Sequence, residues 1–265
     1  MREIYLKAFK RGLLYLENKK NWLNEINFFP VADKDTGDNL VRTIKEAIKI
    51  VESKKEEKNF FEDIADALFE TATGSSGLIF SLFFDGFKKG MDSFYFTSNN
   101  LKCGFKMGRK SAYEGIYNPK EGTILTVIKK MNDKIQNMDG DVVYILEKAI
   151  EEGEIVCKET KEMLPELKEN SVPDAGAVGF LIFWQGFFDE IKDNFYEVIA
   201  IVKDMKSDMK EFISFLKDFG ESIVVNKRDK MVKIHIHTFL PEEIKKIILH
   251  RGEVLRIDIN KVFSA

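Results

Sequence analysis

One change of hydrophobic period constrains the fold of this chain more than any other feature. Up to about Asn194, every long apolar pattern repeats near 3.6 residues; beyond it, apolar and polar residues alternate. Leu6, Phe9, Leu13 and Leu16 line one face of a first helix, which Trp22, Leu23 and Ile26 carry onward. Leu40 to Val51 predicts a second helix, ended by the charged run Glu52 to Lys58. Phe60 to Thr71 predicts a third, and Leu78 to Phe87 a fourth. A polar loop over Tyr95 to Leu101 precedes a weaker helix over Cys103 to Tyr117, and Ile124 opens another. Val142 to Leu164 is long and amphipathic, with Pro165 placed to kink it or begin a new segment. Phe180, Leu181, Phe183, Trp184, Phe187 and Phe188 mark a strongly apolar helix whose aromatic stripe reads as core. After Asp193, strands are predicted over Tyr196 to Val202, Ser222 to Val225, Met231 to His237 and Val254 to Ile259. Helices over Met209 to Phe219 and Pro241 to His250 separate them. That order, β-α-β-β-α-β, is the order of a small ferredoxin-like sandwich. The expectation is a multi-domain chain: an all-α domain without a sheet over 1–194, then a small α+β domain over 195–265.

Composition removes several classes of function. Hydrophobic residues make up 44% and charged residues 32%, enough for a real core and a soluble surface. A net charge of -3 leaves no electrostatic footprint for nucleic acid. The two cysteines, Cys103 and Cys157, fit a reducing, cytoplasmic setting and exclude a disulfide framework. Arg2, Glu3, Lys7 and Lys10 interrupt the N-terminal apolar residues, so no signal peptide is expected. No apolar run is long enough for a transmembrane segment; the nearest, Phe80 to Phe96, contains Asp85, Lys88, Lys89 and Asp92.

The chemistry concentrates in loops that precede apolar helices. Asn27 to Leu40 packs Asp33, Asp35 and Asp38 into six positions, with Asn27 and Asn39 near its ends. Gly37 permits a sharp turn, and Thr36 or Asp38 suits the N-cap of the following helix. Hard oxygen ligands at a helix start make a cradle for magnesium and phosphate, the carboxylates taking the metal and the free N–H groups the phosphate. Capping alone also places acidic residues there. Thr73-Gly-Ser-Ser-Gly77 is a second turn whose small residues and hydroxyls suit either an anion or a plain capped loop. Pro119 to Thr123 and Pro173 to Gly179 are two further turns. His235 and His237 share one strand face; that spacing can hold a metal, but surface or partner-facing histidines are the favoured reading.

In this order the loops resemble a known family. Asn27-Phe-Phe-Pro-Val-Ala-Asp-Lys-Asp-Thr-Gly-Asp-Asn39 is similar to N-x-F-P-V-P-D-G-D-T-G-T-N. Thr73-Gly-Ser-Ser-Gly77 is similar to R-G-N-S-G, Pro119-Lys-Glu-Gly-Thr-Ile-Leu-Thr-Val127 to K-P-x-E-G-T-I-L-T-V, and Val172-Pro-Asp-Ala-Gly-Ala177 to V-V-D-A-G-A/G. These are the motifs of the nucleotide-binding domain of dihydroxyacetone kinase subunit L, which the A subunit of fatty acid kinase also carries. Gly220 to Val225 and Val232 to Thr238 resemble the domain that follows it in fatty acid kinase.

The resemblance implies an antiparallel barrel of about eight helices, with ATP or ADP and two Mg2+ at one end. Asp33 and Asp35 match its metal-binding aspartates, and Asn27 is a candidate for a further ligand. Thr36 and Asn39 match positions beside the phosphates, and Ser75, Ser76 and Gly77 match the second phosphate loop. Thr123, Asp174 and Gly176 match segments that close around the nucleotide. The implied activity is ATP-dependent phosphorylation of an acyl carboxylate presented by a separate lipid-binding partner protein; a homodimer is compatible with it. A dihydroxyacetone kinase type of phosphotransfer and a nucleotide-binding regulator without turnover are the alternatives. Four positions depart from the pattern: Ala32 stands for proline, Lys34 for glycine, Asp38 for threonine and Thr73 for arginine. Lys34 is expected either to add a phosphate contact or to fill the site. The A subunit of fatty acid kinase continues into a further domain, and the sequence here ends before it, which bears on partner docking. The family's second domain can carry a cysteine beside two histidines on zinc, for which no counterpart is found.

Overall fold

A computed structural model describes residues 1–54, 59–91 and 95–262. Contacts divide the chain into two compact units, one over Arg2–Glu190 and the other starting at Ile191.

The first unit is helical, and its helices follow the apolar periodicity. They are α1 (Arg2–Glu25), α2 (Thr36–Ser53), α3 (Phe60–Thr71), α4 (Gly74–Phe87), α5 (Ser98–Glu114), α6 (Ile124–Gln136), α7 (Val142–Glu159), the short α8 (Pro165–Asn170) and α9 (Ala175–Asp193). No strand occurs before Tyr196 among the described residues. Local capping fixes several starts: Asn59, Thr97 and Asp141 accept from Phe61 N, Asn100 N and Tyr144 N respectively. The cap at Thr97 explains why α5 begins five residues before the expected Cys103, inside a stretch that reads as polar loop. Pro165 begins a new segment rather than kinking α7, which ends at Glu159. The charged run expected to end α2 lies outside the described residues from 55 to 58.

The core is aromatic and centres on Trp184 of α9, which has no exposed surface. Its ring lies 4.9 Å from that of Phe105 on α5 and 5.0 Å from that of Phe187, and it stacks on Phe84 of α4. Phe9 of α1 meets Phe183 edge-on at 5.0 Å. Helices α1 and α9 touch at backbone distance, since a Cβ on Gly186 would lie 2.6 Å from the Arg11 carbonyl oxygen.

The second unit runs β1 (Tyr196–Lys203), α10 (Met209–Leu216), β2 (Glu221–Arg228), β3 (Met231–Thr238), α11 (Pro241–Leu249) and β4 (Glu253–Lys261). This is the expected β-α-β-β-α-β order. The sheet order is β2-β3-β1-β4 with every neighbouring pair antiparallel. Val198, Ala200 and Val202 alternate along β1 and join Val232, Ile234 and Ile236 of β3 in a core completed by Phe212 and Leu216 of α10 and Ile244 and Ile248 of α11. The alternation sends Glu197, Ile199, His235 and His237 to the opposite face, with Glu197 paired to His237 and Ile199 to His235.

Truncating the central ring should therefore be severe. Trp184→Ala is expected to lower the unfolding free energy of the helical unit by about 3–5 kcal/mol, the range for emptying a buried large aromatic site. Denaturant unfolding followed by helical circular dichroism measures it; a loss below about 1 kcal/mol would mean that Trp184 is not central to the packing.

Candidate functional site

The four motif loops meet because each leads into a helix and those helix starts lie side by side. Gly74 is at φ +65°, and a Cβ on it would lie 2.3 Å from Nδ2 of Asn39, so the start of α4 abuts the first turn of α2. Thr43 of α2 reinforces this contact: its hydroxyl accepts from Thr73 N at 3.0 Å. A Cβ on Gly176 would lie 2.8 Å from Ser76 Oγ, which brings α9 against α4. Asp174, buried, closes the ring: its Oδ2 accepts from Ile124 N at 3.1 Å and from Ala177 N at 2.7 Å, joining the first turns of α6 and α9. Burial pushes the Asp174 carboxyl up to about 6, although backbone hydrogen bonds from Ala177, Ile124 and Gly176 oppose the shift.

Between these starts lies a cleft of about 280 Å³. Ser75, Ser76, Leu78 and Ile79 of α4 form one wall, and Thr123, Ile124 and Leu125 at the start of α6 form another. Phe29 and Pro30 of the aspartate loop border it, as do Ile116, Tyr117, Asn118 and Lys120 between α5 and α6, with Asp174 also in its lining. The first turn of α4 receives no side-chain cap, because the Thr73 hydroxyl turns back to the Thr71 carbonyl. Its N–H groups keep their donor capacity, and the dipole adds positive potential.

The aspartate loop is built by two asparagines. Asn27 is buried; its Oδ1 accepts from Asp35 N, Thr36 N and Thr36 Oγ1 at 3.2, 3.1 and 2.9 Å, while its Nδ2 donates to the Phe29 and Val31 carbonyls. Asn24 Oδ1 accepts from Gly37 N at 2.7 Å and Asp38 N at 3.2 Å. The expected free N–H groups at the start of α2 are thus already taken, which overturns a direct phosphate cradle there; neither Thr36 nor Asp38 is the N-cap, a position held by Asp35. Asn24 escapes sequence reading because it lies in the last turn of α1, thirteen residues from its partner.

Asp38 also departs from the expected cluster. Lys20 and Asn24 bind its two oxygens at 2.8 and 2.6 Å and hold its carboxyl below the usual range. Asp33 is exposed and Asp35 half-buried, and neither carboxylate has an ion-pair or hydrogen-bond partner among the described residues. They sit on the same loop as Phe29 and Pro30 but do not line the cleft. Lys34 between them adopts φ 54°, the left-handed conformation that glycine accepts without cost, and its ammonium lies 5.7 Å from the Phe28 ring centre.

The remaining expected residues are placed as follows. Asn39 is buried at the joint of α2 and α4, its Oδ1 accepting from Arg42. Gly77 packs on the Thr43 hydroxyl. Thr123 caps α6 by accepting from Leu125 N and donates to the Lys120 carbonyl. Sequence reading missed Phe29, Leu78, Ile116, Tyr117 and Lys120 as lining residues; Phe29 and Lys120 lie inside the quoted motifs, but their apolar or lone-cation character gave no sign of lining a cleft. In the second unit, register supplies what the two histidines lacked. Glu197, His235 and His237 bring ligand atoms within 4.8 Å of one another, one ligand short of a closed tetrahedral set. His235 Nε2 faces Glu197 at 2.9 Å and Nδ1 faces the Ser222 carbonyl at 2.9 Å.

Comparison with known proteins identifies the two domains. A family model described as the DAK2 domain matches residues 30–189. Another, described as a middle domain like that of the fatty acid kinase A subunit, matches residues 193–263. An uncharacterized protein of Staphylococcus saprophyticus is 26% identical, covering 98% of this chain and 55% of its own length. An uncharacterized protein of Mycoplasma genitalium is 27% identical over 97% of this chain and 56% of its own. The chain thus spans about half the length of the curated relatives it matches. The dihydroxyacetone kinase from C. freundii, solved in complex with AMP-PNP and Mg2+, shares the fold with a TM-score of 0.54 at 16% identity, over 71% of this chain and 34% of that one. No helix among the described residues is long and apolar enough to cross a membrane.

The buried carboxyl at the junction gives a pH signature. A folded carboxyl raised to about 6 from 3.8 destabilises the native state above that range and ceases to do so as it protonates. The melting temperature of the wild type relative to Asp174→Asn should therefore move in favour of the wild type as pH falls from 7 toward 4. A difference that stays constant from pH 7 to pH 4 would remove the perturbed carboxyl from the account.

Proposed function

The chain belongs to the DAK2 domain family and carries after that domain a middle domain of the fatty acid kinase type. We therefore propose that it is the ATP- and magnesium-dependent component of a fatty-acid-kinase-type phosphotransferase. The observation that carries the reading is the cleft: an apolar wall, an uncapped helix start with two serines, and two unpartnered carboxylates on the adjoining loop. A triphosphate needs donors and positive potential, and its counter-ion needs hard oxygen ligands.

The residues present fit magnesium. Asp33 and Asp35 offer carboxylate oxygens that no cation of the described residues occupies, whereas Asp38 is committed to Lys20. In this proposal Asp33 and Asp35 hold two Mg2+, while Asn27 fastens the loop and has its amide oxygen engaged by three donors. Bound there, magnesium would neutralise phosphate charge during transfer. Ser75, Ser76 and Gly77 receive the phosphates through the α4 N–H groups and the serine hydroxyls. Asn39 and Thr36 keep α2 and its loop in register with α4. Thr123, Asp174 and Gly176 hold the far side of the cleft. The proposal includes an eight-helix antiparallel barrel and a domain boundary between Asn194 and Phe195. The acceptor is an acyl carboxylate whose oxygen takes the γ-phosphoryl group of ATP, giving an acyl phosphate and ADP. A lipid-binding partner presents it, and the match of residues 193–263 supports this acceptor over dihydroxyacetone.

A second reading, a nucleotide-binding regulator without turnover, is favoured by Lys34. Lys34 stands between Asp33 and Asp35 in the sequence, and its ammonium can replace part of the metal's charge. The two readings differ in metal dependence. Asp35→Asn should weaken magnesium-dependent ATP binding at least tenfold while leaving the helical circular dichroism unchanged, because that side chain makes no cap hydrogen bond or ion pair. A magnesium titration of ATP affinity on both proteins decides the matter; coincident curves would reduce the aspartates to helix-start residues. Strong ATP binding without magnesium would favour the regulator.

A further inference from the structure

Residues 115–120 form a short loop between α5 and α6 that is fastened at both ends. On the α5 side, the Tyr113 hydroxyl lies 3.1 Å from Glu121 Oε1. On the α6 side, the Thr126 hydroxyl donates to Glu121 Oε2 at 2.7 Å, Lys129 approaches Oε1 at 3.2 Å, and Gly122 N donates back to Thr126 Oγ1 at 2.7 Å. Burial opposes ionisation of Glu121, but Thr126, Lys129 and Tyr113 outweigh it and hold the carboxyl below its usual range. The Thr123 hydroxyl anchors the Lys120 carbonyl at 2.8 Å. Within the loop, Asn118 takes the left-handed conformation (φ 58°) that asparagine tolerates, and Pro119 fixes the next φ.

In this loop stands Tyr117, fully exposed and one of the residues that border the cleft. It stacks on no aromatic ring and its hydroxyl has no hydrogen-bond partner among the described residues. Single exposed apolar residues are ordinary on a surface. This one differs in being an aromatic side chain on a loop tied at both ends, beside a cleft whose apolar lining includes Phe29, Leu78, Ile79, Ile116 and Leu125. A loop tied at both ends loses less entropy than a free one when its aromatic meets a ligand, and a flat heteroaromatic ring has the matching surface.

We propose that Tyr117 is the residue that selects for the base of the nucleotide, its ring stacking on a flat heteroaromatic group held against the apolar wall, while the serine-lined end takes the phosphates. This rests on the nucleotide-site reading and adds to it which residue recognises the part of the ligand that is not phosphate. The hydroxyl has no role in it.

The test compares two probes on the full chain by calorimetry in excess magnesium: ATP, and inorganic triphosphate, which lacks a base. Tyr117→Ala should weaken ATP binding roughly tenfold, the order found for one aromatic stacking contact, and leave triphosphate binding unchanged. Tyr117→Phe should bind both as the wild type does. Circular dichroism checks the fold, which a fully exposed side chain does not support. Unchanged ATP affinity in Tyr117→Ala overturns the inference while sparing the nucleotide site. Equal losses for ATP and triphosphate overturn it too, since the ring would then act through the loop. A wild type that binds neither probe overturns the site itself, and this inference with it.

Discussion

One buried carboxylate decides whether the site exists. Asp174 Oδ2 takes an N–H from the first turn of α6, 50 residues before it in sequence, and another from the first turn of α9, so two helices share one acceptor. An ionised carboxylate is costly to bury, and its raised pKa expresses that cost. The compensation is geometric, since two orphan helix donors are satisfied at one point and the helix starts are held together. A further hydrogen bond, from Asp174 N to the Thr160 hydroxyl, ties the same residue to the turn after α7. An apolar residue here would leave two buried N–H groups unsatisfied, so the position is constrained by the backbone before any ligand is considered.

The other contacts at this end use the same logic with smaller groups. Gly74 and Gly176 permit backbone to approach Asn39 and Ser76, and Thr43 fills the remaining space with a hydroxyl that receives Thr73 N and lies against Gly77. The aspartate loop is shaped by asparagine, whose neutral amide both donates and accepts, as Asn27 does five times. Carboxylates would serve poorly as fasteners in that position, since they can only accept. This division leaves Asp33 and Asp35 without structural duties. A loop that needed its acidic groups for its own shape would not have them available for a cation.

How much of this was legible depends on the range of the interaction. Helices with an apolar stripe were legible because burial follows a local period: Phe60–Thr71 and the β-α-β-β-α-β order emerge close to where the pattern puts them. The loops that carry Ser75, Ser76, Thr123 and Asp174 were legible as turns before apolar helices, and their motifs named the family. What failed was long-range hydrogen bonding. The start of α2 looked free because Asn24 lies in another helix, and the ion pair that takes Asp38 out of the acidic cluster went unseen because Lys20 lies on that helix too. Glu197 was invisible as a companion of His235 and His237 because only strand register brings it there. The start of α5 was missed for a local reason, since Thr97 caps a first turn, Ser98 to Asn100, that has no apolar period of its own.

Lys34 shows how a departure from a family pattern can be read once the backbone is known. The position is left-handed at φ 54°, which accounts for glycine in the motif on conformational grounds alone. A lysine there holds the same turn at a cost of about 1 kcal/mol, partly offset where its ammonium meets the Phe28 ring. The loop therefore does not need glycine in order to form, and the substitution is not evidence of a collapsed site. What changes is electrostatic: a positive charge now shares the turn with the two carboxylates. Its stem is anchored only by its own backbone and by an aromatic face, so it is free to follow an anion. The consequence of the substitution thus lies in how strongly the loop depends on an added cation, and not in whether the loop keeps its shape.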